Sequence, residues 1–260
     1  MVYSAAEGST MLNRRGVVLA LTFAALCLPL ALQAGTIVVP GSDASSEGNA
    51  DNGFPFNISA NSLPSQRYQQ VYASSAFGGG PILISGIDFR PDVNAGHAFT
   101  TTLSSIRIDL STTSAAVDAL SLTFANNLGA DNTTVFGTAP LSISSAFAGP
   151  AGGPMAFDIH IEFTTSFLYN PANGNLLLDV RNFGAGSTSQ FDAENPGGVM
   201  SRISTYDSGG GSATADSADG LGLVTQFDVS QGVPEPSTGL LMGGALAGVV
   251  LIGRARRRAA

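Results

Sequence analysis

The sequence predicts an all-β protein: an antiparallel β-sandwich of jelly-roll-like type, flanked by an N-terminal signal helix and a C-terminal apolar helix. Short segments rich in β-branched and aromatic residues recur between clusters of Gly, Pro, Asn and Asp. Several alternate apolar and polar residues with the period of two that is typical of half-buried strands. Between the two ends of the 260-residue chain, no segment has the pattern of a long amphipathic helix.

The segment 155–163 has the clearest strand pattern. Its alternate positions are apolar on one face (Phe157, Ile159, Ile161, Phe163) and polar on the other (Asp158, His160, Glu162). Further strands are predicted at 66–76, 81–89, 103–110, 119–125, 133–137, 141–145, 175–181 and 221–229. Gly86 interrupts the alternation of its segment and is expected to mark a bulge. About nine short strands with turns between them are typical of a two-sheet sandwich.

The first 34 residues have the layout of a secretory signal peptide. Arg14 and Arg15 precede an apolar stretch at 17–32, and Ala34 is a small residue suited to signal peptidase. Met11 is a plausible initiator, and an N-terminal membrane anchor is the alternative interpretation. Cys27, the one cysteine of the chain, lies in the apolar stretch. Residues 35–231 therefore have no disulfide, thiolate metal site or cysteine nucleophile.

The C-terminal end has three parts. A turn-forming segment comes first, an apolar stretch at 239–253 follows, and four arginines come last. The turn-forming segment consists of Val233, Pro234, Glu235, Pro236 and Ser237. The arginines are Arg254, Arg256, Arg257 and Arg258. Cationic residues stay on the cytoplasmic side of an apolar helix, so the bulk of the chain is expected outside the cytoplasm. The stretch is shorter than the roughly 20 residues of a permanent span, which favours a transient transmembrane helix.

This three-part tail resembles the PEP-CTERM sorting signal of Gram-negative bacteria that make exopolysaccharide. The resemblance implies cleavage near the Pro-Glu-Pro motif by a membrane protease, an exosortase. It divides the chain into a signal peptide at 1–34, an exported domain at 35–231 and a sorting signal at 232–258. An ordinary short anchor is the alternative. The runs EGNADNGFPF, RYQQVYASSAF and YNPANGNLLLDV also resemble a recurrent, uncharacterised exported domain found with such tails.

The exported domain is strongly acidic. It has five arginines and no lysine against seventeen Asp and Glu residues, a net charge near −12. Because phosphate neutralisation requires a basic face, this charge argues against binding nucleic acid. It also argues against docking on anionic lipid.

No catalytic constellation stands out. His97 and His160 are the histidines available as a base, and no Gly-x-Ser-x-Gly elbow occurs. Asp158 and Glu162 are candidate glycosidase carboxylates but would lie about 13 Å apart along a strand, too far for that mechanism. A groove joining His160 to a serine and a carboxylate would favour a hydrolase. We expect that the protein is not an enzyme.

The loop 42–53 offers oxygen ligands for calcium. Asp43, Glu47, Asp51 and Asn52 lie there among glycines, and calcium takes six to eight oxygens. Other acids flank turns: Asp88 and Asp92 around FRPD, and Asp192 and Glu194 further on. The alternative is that all of these are solvated, turn-forming acids. Apart from Ca²⁺, no cofactor is expected.

Two functions fit these observations best. The first is a non-catalytic protein of the cell surface or extracellular matrix, exported through Sec, cut by signal peptidase, and sorted by exosortase after transient residence in the inner membrane. The second is a calcium-assisted carbohydrate-binding module associated with exopolysaccharide. Exposed tyrosines are its predicted platforms: Tyr68, Tyr72, Tyr169 and Tyr206.

Overall fold

The structure, a computed structural model, describes residues 34–184, 186–206 and 210–231. The predicted signal peptide, apart from Ala34, and the predicted apolar helix at 239–253 lie outside these ranges. The described residues form thirteen strands, labelled in chain order: β1 Ala34–Val39, β2 Ala50–Asn52, β3 Gln66–Tyr72, β4 Ile82–Phe89, β5 Phe99–Thr113, β6 Thr133–Ser145, β7 Ile159–Tyr169, β8 Asn175–Asn182, β9 Phe191–Glu194, β10 Met200–Ser204, β11 Ser217–Asp219, β12 Gly222–Leu223 and β13 Thr225–Gln231.

The helical residues of the described chain lie in short 3-10 turns, at Gly41–Ala44, Ile58–Asn61, Ser74–Phe77, Phe124–Asn127 and Pro171–Asn173. In the ranges that the structure describes, no helix is long and apolar enough to cross a membrane.

The strands form three antiparallel sheets. One sheet has the order β1-β13-β4-β7, a second has the order β11-β10-β3-β8-β5-β6, and a small third sheet has the order β12-β9-β2. The all-β, antiparallel prediction is confirmed. The third sheet was not predicted, because its strands have only two to four residues and show no alternation that sequence could reveal.

The main core lies between the inward faces of the two larger sheets. Ile84, Ile87 and Phe227 from the four-stranded sheet join Ile106 and Ile108 from the six-stranded sheet in one buried apolar cluster. The alternation predicted for β7 is also found. Ile159, Ile161 and Phe163 are buried while His160 and Glu162 are exposed. Period two therefore identified which face of this strand enters the core.

The bulge predicted at Gly86 is present. The register between β4 and β7 shifts between Ile84 and Gly86. A Cβ atom at position 86 would meet Asp228 Oδ2 at 2.8 Å and the Ile161 carbonyl oxygen at 3.2 Å. The absence of a side chain here lets the neighbouring strands approach closely.

Several strand predictions were wrong in detail: segment 221–229 is divided between β12 and β13, which belong to different sheets, and residues 155–158 precede β7. Segments 133–137 and 141–145 form one strand, β6, and Pro140 is tolerated there because β6 is an edge strand of its sheet. Segment 119–125 is a loop with a single bridge between Thr123 and Thr214. The Asn127 side chain accepts from Ser121 N and donates to Ser121 O, both at 2.8 Å. These side-chain bonds replace a strand ladder.

The described chain enters and leaves the sandwich on adjacent strands. Ala34 of β1 pairs with Ser230 of β13, and β13 lies between β1 and β4. Gln231, the last residue of β13, pairs with Ile82 at the beginning of β4. Phe89, at the other end of β4, leads into the FRPD segment.

Candidate functional site

The predicted sorting residues follow directly after the sandwich. β13 ends at Gln231, two residues before Val233. The sorting motif and the arginine cluster lie outside the described residues: Val233, Pro234, Glu235, Pro236, Ser237, Arg254, Arg256, Arg257 and Arg258.

The four predicted calcium ligands of the 42–53 loop have different surroundings. Asp43 is buried in a 3-10 turn, and Asp51 is exposed on β2. Asn52 is buried, and its amide donates to the Phe54 carbonyl oxygen at 3.1 Å and accepts from Phe54 N at 3.0 Å. Asp51 lies opposite Asp192 in the pairing of β2 with β9, and Glu47 joins a group of acids from two other segments.

A carboxylate cluster forms from Glu47, Asp92 and Asp192. Each offers an oxygen atom, and these atoms lie within 4.8 Å of one another. Backbone bonds bring the segments together: Asp92 N donates to Gln190 O at 3.1 Å, and Asp192 N donates to Arg90 O at 2.9 Å. The FRPD segment thus lies antiparallel to the start of β9, a pairing that spacing along the sequence could not reveal.

Arg90 is the cation at this cluster. Its side chain is 1% exposed, Nε donates to Asp192 Oδ2 at 2.7 Å, and Nη2 lies 2.6 Å from the same oxygen. Nη2 also donates to the Ser46 carbonyl oxygen, and the guanidinium lies 4.7 Å from the centre of the Phe157 ring. A buried pair with these additional contacts ties the 42–53 loop to β4 and β9.

The three carboxylates outnumber the one guanidinium. Glu47 Oε1 accepts from Val93 N at 2.8 Å, while its buried Oε2 has no hydrogen-bond partner in the described chain. Burial raises the pKa of Asp192 to about 7, and Glu47 adds repulsion; Arg90 and the Gly48 N–H act in the opposite direction. Burial likewise raises the pKa of Asp43. The oxygen set is one that calcium accepts.

A second site is a groove on the outer face of the four-stranded sheet. Its volume is about 610 Å³, and it is lined by residues that include Ser85, Asp88, His160, Glu162 and Asp228. His160 Nδ1 lies 2.7 Å from Asp88 Oδ1, and Gln226 donates to Asp88 Oδ2 at 2.7 Å. The groove therefore joins a histidine, a carboxylate and a serine.

The serine of this groove is not paired with the histidine. Ser85 Oγ donates to the Asp228 carbonyl oxygen at 3.5 Å, and no hydrogen bond joins His160 to a serine in the residues that the structure describes. Nucleophilic catalysis requires that contact between nucleophile and base. His97 contributes its backbone N–H, which donates to Ser189 Oγ at 2.8 Å.

The tyrosines are placed differently from expectation. Tyr68, Tyr72 and Tyr169 are fully buried, so the prediction that they form an exposed platform was wrong. Their phenol groups are satisfied inside the fold, as in the 2.8 Å bond between Tyr72 and Thr225. Tyr206 is 43% exposed and packs against Phe54. Phe183, at 40%, is a further exposed aromatic side chain.

Three arginines stand in register across the six-stranded sheet, which we name the arginine row. Arg67 of β3 pairs with Arg181 of β8, and Arg181 pairs with Arg107 of β5. Two residues away, Asp179 and Asp109 also face each other. Sequence analysis missed this row because the register of three strands, far apart in the chain, determines it.

The outer two arginines bind carboxylates. Arg67 donates to both Asp179 oxygens, at 3.1 and 2.6 Å, and lies 4.4 Å from the centre of the Phe124 ring. Arg107 donates to Asp109 through Nε and Nη2, each at 2.8 Å. The central Arg181 reaches a carboxylate oxygen, Asp179 Oδ1, at 3.8 Å.

Comparison with known protein families identifies the tail. Residues 232–258 match the model of the PEP-CTERM protein-sorting motif. This match confirms the resemblance seen in the sequence, and it supports export of the chain and its sorting by exosortase. No curated protein and no solved structure matches the chain.

Proposed function

We propose that this PEP-CTERM protein is a non-catalytic component of the bacterial cell surface or extracellular matrix, with its acidic sandwich as the part that remains after processing. The sorting motif at 232–258 is the observation that carries the proposal, because it assigns the chain to export and exosortase. The motif begins directly after β13, so cleavage at the Pro-Glu-Pro segment leaves every described strand in the product.

The contacts of the polar side chains support the non-catalytic part of the proposal. Arg90 with Asp192 and Arg67 with Asp179 are buried pairs that join strands and loops. His160 has a carboxylate partner but no serine partner in the described chain. These groups have structural contacts that account for their positions.

The processing step can be tested in the native host. Intact mass and cell fractionation should show a product without its tail at the surface or in the medium. The double change Pro234→Ala and Pro236→Ala should leave a full-length tail in the inner membrane. Pro150→Ala, in an exposed turn of the sandwich, is the matched control and should be processed normally. Equal processing of the double variant and the control would contradict the proposal.

A calcium-assisted carbohydrate-binding module is the second candidate. The cluster of Glu47, Asp92 and Asp192 favours it. Binding with the affinity of extracellular calcium modules would stabilise the fold by about 1–2 kcal/mol at about 5 mM Ca²⁺.

Thermal unfolding of the processed protein, with and without about 5 mM Ca²⁺, tests the second candidate. The parent protein should gain stability, and Glu47→Gln should remove the gain. Glu162→Gln, an exposed change outside the cluster, should keep it. An unchanged parent, or an equal gain in Glu47→Gln, would reject calcium at this cluster.

A further inference from the structure

Among the arginines of the described chain, Arg181 has the most distant carboxylate partner. The other four arginines of the domain donate to carboxylates at 3.1 Å or less: Arg67, Arg90, Arg107 and Arg202. Within the residues that the structure describes, the closest carboxylate oxygen to Arg181 is 3.8 Å away, and Nε of Arg181 has no hydrogen-bond partner. Among the described residues, in a domain with a large excess of acids, one guanidinium thus lacks a close anion.

The arginine row cannot supply that anion from its own carboxylates. Asp179 accepts two bonds from Arg67 and a third from Gln69 Nε2 at 2.8 Å. Asp109 accepts from Arg107 and from Thr134 Oγ1 at 2.5 Å. Three guanidinium groups therefore share two carboxylates, although like charges directly opposite in a sheet are destabilising.

Burial and the two neighbouring arginines act on the pKa of Arg181 in the same direction. Burial lowers its pKa, and repulsion from Arg67 and Arg107 opposes the attraction of the two aspartates. An anion bound beside Arg181 would relieve this repulsion. The side chains of Arg181 and Arg107 are 23% and 34% exposed, so the centre and the β5 side of the row are open to a ligand.

An exposed aromatic residue follows Arg181 two positions along the chain. Phe183 continues the extended chain beyond β8, since its N–H donates to Ser105 O at 2.9 Å. Side chains alternate along extended chain, so Phe183 and Arg181 project from the same face, about 7 Å apart along it. The ring is 40% exposed. A flat apolar ring two residues from a guanidinium that has no close anion in the described chain offers one surface for a sugar ring and one group for its carboxylate.

We propose that Arg181 and Phe183 form a binding site for an acidic saccharide, with Arg181 holding the carboxylate of a uronate residue and Phe183 stacking on its pyranose ring. This inference rests on the proposed place of the protein in a surface layer, and it adds a ligand class and residues. A guanidinium matches a carboxylate with two coplanar hydrogen bonds. Arg107 lies opposite Arg181 on the same face of the sheet and provides a second positive charge.

Titration calorimetry of the processed protein with trigalacturonate tests the site, and the neutral trisaccharide maltotriose is the parallel ligand. The parent should bind trigalacturonate and bind maltotriose more weakly. Arg181→Gln should weaken trigalacturonate binding roughly tenfold or more, the effect of losing a charged hydrogen bond. Phe183→Ala should weaken the binding of both ligands.

Ser166→Asp is the matched control. It lowers the net charge by one, as Arg181→Gln does, but lies on an exposed position of β7 in the other sheet. It should bind as the parent does. No binding by the parent, equal binding of maltotriose, or equal loss in the control would each overturn the site. The processing experiment with Pro234 and Pro236 is independent, so failure here leaves the proposed location testable by itself.

Discussion

Glu47, Asp92 and Asp192 with Arg90, here named the Arg90 cluster, contain the same residue types as the arginine row but in opposite proportions. At the first, three carboxylates surround one buried guanidinium. At the second, three guanidinium groups share two buried carboxylates. The Arg90 pair is closed from solvent, whereas Arg107 and Arg181 are partly exposed. The difference indicates that burial and charge balance, and not the presence of ion pairs alone, determine whether a network is open to an anionic ligand.

The largest effect on stability is expected at the buried Arg90 cluster. Arg90→Met keeps much of the side-chain length but leaves Asp192 buried without its cation, so we expect a loss of about 3–5 kcal/mol in the free energy of unfolding. Urea denaturation of the processed protein measures it. Arg107→Met is the comparison, because its side chain is 34% exposed and its loss should be clearly smaller. Equal losses would remove the proposed distinction between the two networks.

The second effect is the pH dependence of the free energy of unfolding. The pKa of Asp192 is raised to about 7 in the fold, above its ordinary value of 3.8, so the folded state holds a proton that the unfolded state releases earlier. Titration of Asp192 therefore lowers the free energy of unfolding as pH rises from about 4 to about 7, and it has no further effect at higher pH.

Asp192→Asn removes this titration. The variant should be less stable overall, because Arg90 loses its partner, but the difference from the parent should shrink as pH rises from 5 towards 7, within the window set by the pKa shift. Denaturation midpoints across this range test the change. A difference that is independent of pH would show that Asp192 does not titrate there.

The smallest effect on stability is expected at the centre of the arginine row. Arg181→Gln removes a cation whose closest carboxylate in the described chain is 3.8 Å away, and it relieves the repulsion with Arg67 and Arg107. The free energy of unfolding should change by no more than about 0.5 kcal/mol. Arg67→Gln, which breaks a buried pair, should cost several times more. A large loss for Arg181→Gln would assign that residue to the structural network.

Local patterns predicted the strands well where one face of a strand is buried. The alternation of β7 and the bulge at Gly86 were both readable, since each depends on neighbours along the chain. Segment 119–125 has the same alternation, yet Asn127 and its bonds to Ser121 hold it as a loop. Period two alone does not distinguish a strand from a loop that buries one ring, here Phe124.

The candidate sites depend on long-range pairing, which one sequence does not contain. Glu47 was selected with its loop neighbours, but its partners Asp92 and Asp192 come from other turns. The arginine row requires the register of β3, β8 and β5. The buried tyrosines illustrate the same limit, because a count of aromatic residues does not say which face of a sheet they occupy.

The position of β13 has a mechanical consequence. This strand connects directly to the sorting segment and lies between β1 and β4, hydrogen-bonded to both. A pull from beyond Gln231 acts along the axis of β13 and strains its bonds to both neighbours together, in shear, instead of opening them one at a time. The sandwich is thus attached through a strand whose place in the sheet resists extraction, while the Arg90 cluster lies beyond the far end of β4.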